Sequence, residues 1–522
     1  MATNDNDKTT PPVELHDRNI PIGPNKVNTV EVPCDPRDPN FSRWFDTSIR
    51  PMRAGNRVTP LVGGLETFAA MGDAIQTATG KGHYIYMLNW YMDLDVPLGG
   101  STLRQLILVA LNYRVQVRAM LWDQPLFQNN AENDYLNAVS IIPDNEEDEE
   151  DQKESEDQTY IRRNPDIDCA SILDNNTLHF GAHHQKILIV KGSSGLVAFC
   201  GGIDFNLNRI LHRDSDPGSP LHDVHCKIEG PAAWDLLQIF VDRWNDHPQN
   251  PLPEVAPLLA TASDPLPAPA GDHYVQIGRT FGNGSNHMGI RSDSSRYSFA
   301  PHGEQTCRSI IFTAIAQARE FIYVEDQYLQ YPNASTFLAG MLPYIKKLII
   351  LIPHPGLSDY AGVWASQKAF VENLGGGPKI AVCYLKEPWA KPNPKNVADG
   401  TFGTYVHSKT WIIDDKFAVI GSANCNTRGY THDSEVVAGI YDESRDTPCT
   451  LHLAHALRMR LWAKHLRLKP ADVFDPIGSA AHWLNPAVYS GVAKFDPNAG
   501  FDHIRSEYAR FAEGPREEPD GS

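Results

Sequence analysis

The sequence predicts an α/β fold built from two copies of one unit, and three observations carry that prediction. Strand-length apolar runs alternate with amphipathic helical segments along most of the chain. The alternation passes through the same order twice, on either side of a Pro- and Ala-rich stretch. Each pass contains the pattern His-x-Lys at the end of an apolar run: His184-Gln185-Lys186 in the first and His407-Ser408-Lys409 in the second, about 220 residues apart.

In the first copy, HYIYMLNWYMD (83–93) reads as a strand because β-branched and aromatic residues crowd it. LRQLILVALNY then repeats apolar residues at helical spacing, and VQVRAMLWD returns to strand. The His-x-Lys run HHQKILIV (183–190) is followed by another apolar run that ends in the turn Gly201-Gly202-Ile203-Asp204. HDVHCKIEG (222–230) starts a further strand, and the helix WDLLQIFVDRW (234–244) closes the copy on a tryptophan. The second copy runs in parallel. The helix SIIFTAIAQARE precedes the strand FIYVEDQYL (321–329), and KKLIILIPHP supplies the next strand. VHSKTWIIDD (406–415) carries the second triplet, ahead of the turn Gly421-Ser422-Ala423-Asn424. HDSEVVAGIY (432–441) and LHLAHALRMRLW (451–462) complete it.

The Tyr84–His184 span is 100 residues and the Tyr323–His407 span is 84. The acidic run DNEEDEEDQKESED (144–157) accounts for most of the difference and reads as a solvated insertion. The resulting division is an N-terminal extension (1–54), a first half (55–250), a Pro/Ala-rich linker (251–271), a second half (272–470) and a C-terminal extension (471–522). Loops 281–303 and 387–404, rich in Gly, Ser, Asn and Pro, are expected to shape a site mouth.

With 522 residues, 41% of them hydrophobic and 21% charged, the chain has the composition of a globular enzyme. Its formal charge of −18 argues against nonspecific nucleic-acid binding, which needs a basic footprint. The polar start MATNDNDKTTPPVELHD lacks the apolar region of a secretory signal, and no stretch of about 18 apolar residues exists to span a membrane. Eight cysteines without metal-ligand spacing read as reduced core residues. These features lead us to expect a cytoplasmic monomer, with any export following a route that needs no cleavable signal.

One His-x-Lys triplet carries little information, because among 20 histidines roughly one is expected by chance. The duplicated context carries the argument: an extended run, a Gly-Gly or Gly-Ser turn, and a carboxylate further on. In an extended chain residues i and i+2 project together, so His184 aligns with Lys186 and His407 with Lys409. If the halves pack about a pseudo-twofold axis, two imidazoles and two ammonium groups meet in one pocket suited to a phosphate diester. The lysines would stabilise a five-coordinate transition state; one histidine would attack phosphorus and the other would move the proton. That scheme requires no metal and no cofactor. A nucleophilic imidazole needs a carboxylate on its other nitrogen, a role given to Asp223 and Glu435, at 39 and 28 residues past the histidines of their own copies. Ser422 and Asn424 are expected to donate to phosphate oxygens; in the other half Gly201 and Gly202 are expected to let backbone approach, with Gly202 meeting substrate, and Gly421 is expected to shape the second turn.

These segments resemble the phospholipase D superfamily, whose signature is HxKxxxxD followed by a GG or GS turn. The second copy fits throughout, with His407, Lys409 and Asp414 ahead of Gly421, Ser422 and Asn424. GGIDFNLNR, LHDVHCKIEGPAAWDLLQIFVDRW, IYVEDQYL and the THDSE containing Glu435 are similar to phosphatidylcholine-cleaving members more than to small nuclease members. The likeness covers roughly residues 55–470. It implies two phospholipase-D-like half-domains, each a mixed β-sheet flanked by helices, related by pseudo-twofold symmetry around one shared site. It further implies reaction through a phosphohistidine, with His184 as nucleophile, His407 as acid/base, and Asp414 as structural support. The first copy departs by carrying Lys191 at the aspartate position and Asp204 where the second has Asn424. The length leaves no room for the lipid-binding module of plant and animal relatives, so calcium dependence is not expected.

Other residues carry weaker expectations. Glu325 and Gln327 in IYVEDQYL are expected to contact substrate or shape the site. His222 and His225 flank Asp223, but no third ligand has suitable spacing for a metal. Trp90 and Tyr91 read as core residues or as walls of a headgroup pocket. The leading function is hydrolysis of glycerophospholipids at a membrane surface to phosphatidic acid and free headgroup, with transfer to alcohols. Alternatives are a phospholipid synthase of the cardiolipin-synthase type and a nucleic-acid phosphodiesterase. Lack of a signal peptide would also fit an exported antibacterial effector, whose expected partner is an immunity protein.

Overall fold

Described here are residues 40–123, 129–139, 167–177, 181–211, 219–247, 265–282, 297–354, 363–386, 404–442 and 452–496 of a computed structural model. The acidic insertion and most of loops 281–303 and 387–404 lie outside the described residues, as do most of the linker and the outer parts of both extensions.

The first half contributes β1 (Met52–Val62), β2 (Tyr84–Asn89), β3 (Gln116–Trp122), β4 (Cys169–Asp174), β5 (Ile187–Gly192), β6 (Gly195–Gly201) and β7 (Val224–Glu229). The second contributes β8 (His273–Phe281), β9 (Phe321–Asp326), β10 (Lys347–Leu351), β11 (Ile380–Leu385), β12 (Lys409–Ile413), β13 (Phe417–Gly421) and β14 (Glu435–Asp442), with β15 (Val492–Lys494) at the edge. All join one mixed sheet in the order β4-β3-β2-β5-β6-β7-β1-β8-β14-β13-β12-β9-β10-β11-β15. Read outward from the β1–β8 seam, the two halves repeat the same order. In each, the first three strands of the repeat (β2, β3, β4 and β9, β10, β11) run parallel, whereas the His-x-Lys strand and its successors pair antiparallel. The α/β class and the two related half-sheets read from the sequence are what the fold displays.

Burial on both faces explains why these strands read as continuous apolar runs: every residue of β2, β9, β12, β13 and β14 is buried. On one face a single core crosses both halves, from Val58, Tyr86 and Ile189 to Ile277, Tyr323 and Trp462. The closing helices α3 (Ala232–Asp246) and α6 (Leu453–Leu466) cover it. The opposite face is split. The first half packs under α1 (Gly64–Gln76) and α2 (Leu103–Asn112), and the second under α4 (Thr306–Gln317) and α5 (Pro332–Met341). Segments outside the repeat also contribute, since Trp44 stacks on Phe417 at 5.5 Å and β15 pairs with β11.

Asp414, the signature aspartate of the second copy, sits in the β12–β13 turn at φ 53°. Its carboxylate accepts hydrogen bonds from the backbone N–H groups of Arg319, Glu320 and Phe321 at 2.7, 2.9 and 2.8 Å. It therefore fastens the turn to the start of β9, far from the chemistry. Lys191 instead lies at the end of β5, with Nζ 5.5 Å from the Tyr84 ring centre. Asp414→Ala would leave three partly buried donors unpaired and is expected to cost about 2–4 kcal/mol in urea unfolding. Residual activity at low temperature should remain close to normal.

Candidate active site

Both histidines lie just before a strand rather than at a strand's end. Lys186 precedes β5 and Lys409 opens β12, so each histidine stands in an extended lead-in. That lead-in is not paired within its own half. His184 N–H donates to Ser434 O at 2.9 Å, and His407 N–H donates to His222 O at 2.8 Å. Ser434 and His222 are the residues just before Glu435 and Asp223. Each histidine is thus anchored by its backbone to the segment of the opposite half that carries a carboxylate.

The side chains follow the same exchange. His184 Nδ1 contacts Glu435 Oε1 at 2.9 Å, and His407 Nδ1 contacts Asp223 Oδ2 at 2.6 Å. The sequence reading had paired each carboxylate with the histidine of its own copy, and the structure reverses both pairings. The cause is topological. β7 and β14 lie on either side of the β1–β8 seam, so the segment entering each strand meets the other half's lead-in. The carboxylates are buried, whereas the histidine side chains keep 14% and 10% of their surface accessible. With Nδ1 engaged, Nε2 is the atom left to each ring for substrate.

Burial pushes both imidazoles well below their ordinary range. Lys186 reinforces this at His184, and Lys409 does so at His407. Both rings are therefore neutral in the resting protein, as a nucleophile requires. Burial raises Glu435 well above the usual carboxyl range against the pull of Lys186, and lifts Asp223 to about 6 against the pull of Lys409. It also lowers Lys186 to about 8 and Lys409 to about 7. A lysine with a depressed value is charged below it and neutral above it. We expect kcat/KM on a diester to fall as pH rises from about 7 to 9, as the ammonium groups that bind phosphate are lost. Lys409→Arg, whose guanidinium stays charged, should move that alkaline limb upward in a pH–rate profile.

The lysines are held beside their histidines. Lys186 Nζ donates to His184 O at 2.8 Å, and Lys409 Nζ donates to His407 O and to Gln327 Oε1, the latter at 2.9 Å. Gln327 also donates to Tyr405 Oη at 3.0 Å, so it orients Lys409 rather than awaiting substrate alone. Arg209 is a basic group the sequence reading missed. It is buried, donates to Asp204 Oδ1 at 2.9 Å, and its charge acts on both His407 and Lys409. Asp204 is thereby an ion-pair partner, not a phosphate ligand.

Two further expectations are corrected. Ser422 does not offer its hydroxyl to phosphate: Oγ donates to Glu435 Oε2 and accepts from Val436 N–H at 3.0 Å. It positions the carboxylate that holds His184. Gly202 is needed for Asp223 rather than for substrate, since its N–H donates to Val224 O at 3.1 Å and a Cβ there would lie 2.1 Å from Asp223 Oδ1. Gly201 and Gly421 are similarly crowded, by His225 Cα at 2.5 Å and Val436 O at 2.4 Å. Gly202→Ala should displace Asp223 from His407 and reduce turnover about 10²-fold, measured beside a thermal-unfolding control. Asn424 is buried, its Oδ1 meets no partner among the described residues, and any donation to phosphate falls to its Nδ2.

Glu325 is fully engaged by protein partners. Its carboxylate is fully buried and accepts from His222 Nε2 at 2.8 Å, His465 Nε2 at 2.9 Å and Tyr323 Oη at 2.7 Å. Against the upward push of burial, the two histidines hold it well below its usual range. The ligand-capable atoms of His222, Glu325 and His465 lie within 4.8 Å of one another. Each imidazole points at its own carboxylate oxygen, so the trio is a hydrogen-bonded hub. It joins β9 and α6 to the segment bearing Asp223. His225 turns away, accepting from Ile203 N–H at 3.3 Å. On the other side Gln185 links Glu435 O to Arg243, which pairs with Asp174, while His183 spans Asp174 and Ser434. No repeated pattern marks Asp174, His183, Arg243 or His465, which is why sequence reading passed over their roles.

A duplicated mixed sheet that exchanges carboxylates across a pair of His-Lys sites is the arrangement that the resemblance to the phospholipase D superfamily implies, and comparison with known proteins supports that family. The family model described as phospholipase D matches residues 205–332 and 378–484, which include Asp223, His407, Lys409 and Glu435. Among curated proteins the chain is 25% identical over 546 aligned positions to phospholipase D alpha 2 of Arabidopsis thaliana, covering 80% of this chain and 66% of that protein. It is 24% identical to phospholipase D alpha 1 of Brassica oleracea var. capitata, with the same coverage. The chain thus spans just under two thirds of the length of these relatives. Among solved structures, phosphatidylserine synthase of Haemophilus influenzae superposes with a TM-score of 0.52 at 12% identity, covering 83% of this chain and 95% of that one, a likeness of fold.

Proposed function

We propose that this chain is a phospholipase D: it cleaves the distal phosphodiester bond of glycerophospholipids at a membrane surface, giving phosphatidic acid and free headgroup. The observation that carries the reading is the reciprocal pairing of His184 with Glu435 and His407 with Asp223, beside Lys186 and Lys409. His184 Nε2 attacks phosphorus, and the P–O bond to the headgroup breaks. His407, which takes up a solvent proton on Nε2 as the anionic diester binds, with Asp223 pairing the resulting imidazolium, gives that proton to the departing oxygen and returns to the neutral ring. Water, deprotonated by His407, then attacks the phosphohistidine, and His184 leaves as neutral imidazole. The lysines balance the negative charge on the non-bridging oxygens in both steps. An alcohol in place of water gives a phosphatidyl alcohol.

Among the described residues no helix is long and apolar enough to cross a membrane, so the substrate would be met from the water side. The test is headgroup release from vesicles of phosphatidylcholine, phosphatidylethanolamine or phosphatidylglycerol, with and without a primary alcohol, and with a chelator. Headgroup release with phosphatidyl alcohol formation supports the reading. A fold likeness to a phosphatidylserine synthase favours transfer as the second reading. Product formed with an alcohol acceptor but none with water alone would replace hydrolysis by synthesis. Cleavage of nucleic-acid diesters without phospholipid turnover would overturn both.

A further inference from the structure

Trp90 and Trp122 stand at the catalytic ends of the neighbouring parallel strands β2 and β3, where Asn89 pairs with Leu121. Their rings lie 5.8 Å apart at 35°, and both side chains are only partly buried. They are built in, not merely present. Buried Asn129 donates from one amide nitrogen to Trp90 O at 3.1 Å and to Trp122 O at 3.0 Å, and its Oδ1 accepts from Met92 N–H at 3.1 Å. Trp90 presents its ring 6.5 Å from that of His184, with Lys186 Nζ 5.7 Å from its centre. On the opposite side of the site, Tyr405 lies 6.4 Å from the His407 ring.

In-line displacement separates these two aromatic groups by role. An oxygen leaving phosphorus departs opposite the attacking atom. Attack from His184 therefore sends the headgroup toward His407 and Tyr405, and water or alcohol returns along the same line. The substituent that stays on phosphorus is equatorial, free to lie on the side of the attacking ring. Trp90 and Trp122 are on that side, where the leaving headgroup does not pass.

We propose that Trp90 and Trp122 form an apolar subsite for the retained phosphatidyl part of the substrate, the glycerol esters and first acyl carbons, and that they do not read the headgroup. This inference rests on the phospholipase D reading above and on His184 as the nucleophile. It reassigns Trp90 from a headgroup wall to the diacylglycerol side.

The experiment compares wild type, Trp122→Ala and Trp90→Phe on three soluble diesters: dihexanoyl phosphatidylcholine, dibutyryl phosphatidylcholine and methyl p-nitrophenyl phosphate, whose retained group is one methyl. A matching pair of phosphatidylethanolamines gives the headgroup ratio. Trp122→Ala should lower kcat/KM about ten-fold on the dihexanoyl lipid, less on the dibutyryl lipid, and under about two-fold on the methyl diester. The choline-to-ethanolamine ratio should stay unchanged, and Trp90→Phe should keep most of the chain-length preference. An altered headgroup ratio, or an equal loss on all three diesters, would overturn the subsite. A wild-type protein that cleaves the methyl diester but neither phospholipid removes the phospholipase reading and the subsite with it, a result no tryptophan variant could mimic.

Discussion

His184→Ala is expected to lower phospholipid hydrolysis by about 10⁴-fold or more, because it removes the proposed nucleophile and with it the covalent route. His407→Ala should lose as much on phosphatidylcholine but should fail at a different point. A p-nitrophenolate group departs without needing a proton, so the His407 variant should still release one equivalent from a p-nitrophenyl diester. It should then stall with the phosphoryl group on His184. Acid-labile phosphoenzyme, detected by intact mass, should accumulate in this variant and be absent in His184→Ala. Wild-type activity in either variant would exclude a shared site, and phosphoenzyme in the His184 variant would transfer the nucleophile's role to His407.

The second large effect tests the exchange of carboxylates. Asp223→Asn and Glu435→Gln keep shape but remove the acceptor that fixes the histidine tautomer, and each is expected to cost about 10³–10⁴-fold in kcat. Their phenotypes should cross between the halves. Asp223→Asn, although its residue lies in the first half, should behave like His407→Ala and retain the p-nitrophenol burst. Glu435→Gln, in the second half, should behave like His184→Ala and lose it. Pairing within each half would give the reverse assignment. The distances of 2.6 Å for His407–Asp223 and 2.9 Å for His184–Glu435 carry this prediction.

The crossing also marks the limit of what the sequence discloses. Both triplets and both carboxylates were legible because each occurs twice in matching surroundings. Which carboxylate serves which histidine was not, because spacing measures distance along the chain. The seam between β1 and β8 decides the matter through pairings more than 180 residues apart. The roles of Ser422 and Gly202 were misread for a related reason. A hydroxyl or a bare Cα in a turn is equally suited to a ligand and to a neighbouring carboxylate, and only the packed structure shows which arrives first. Glu325 and Gln327 were placed near the site by their strand. The His222 and His465 partners that make Glu325 a hub come from a different half and from the closing helix, with no signal in common.

Because each half lends its acid to the other's base, neither repeat owns a working set of groups. A gene fragment encoding one half would carry a histidine without its tautomer-fixing partner and a carboxylate with nothing to orient. The duplication therefore provides no spare copy behind which one repeat could decay, as duplicated domains usually allow. Any lineage that keeps the reaction must keep both halves, and must keep them in register across the seam. The sequences of the two repeats are nonetheless free to diverge elsewhere, as Lys191 opposite Asp414 already records.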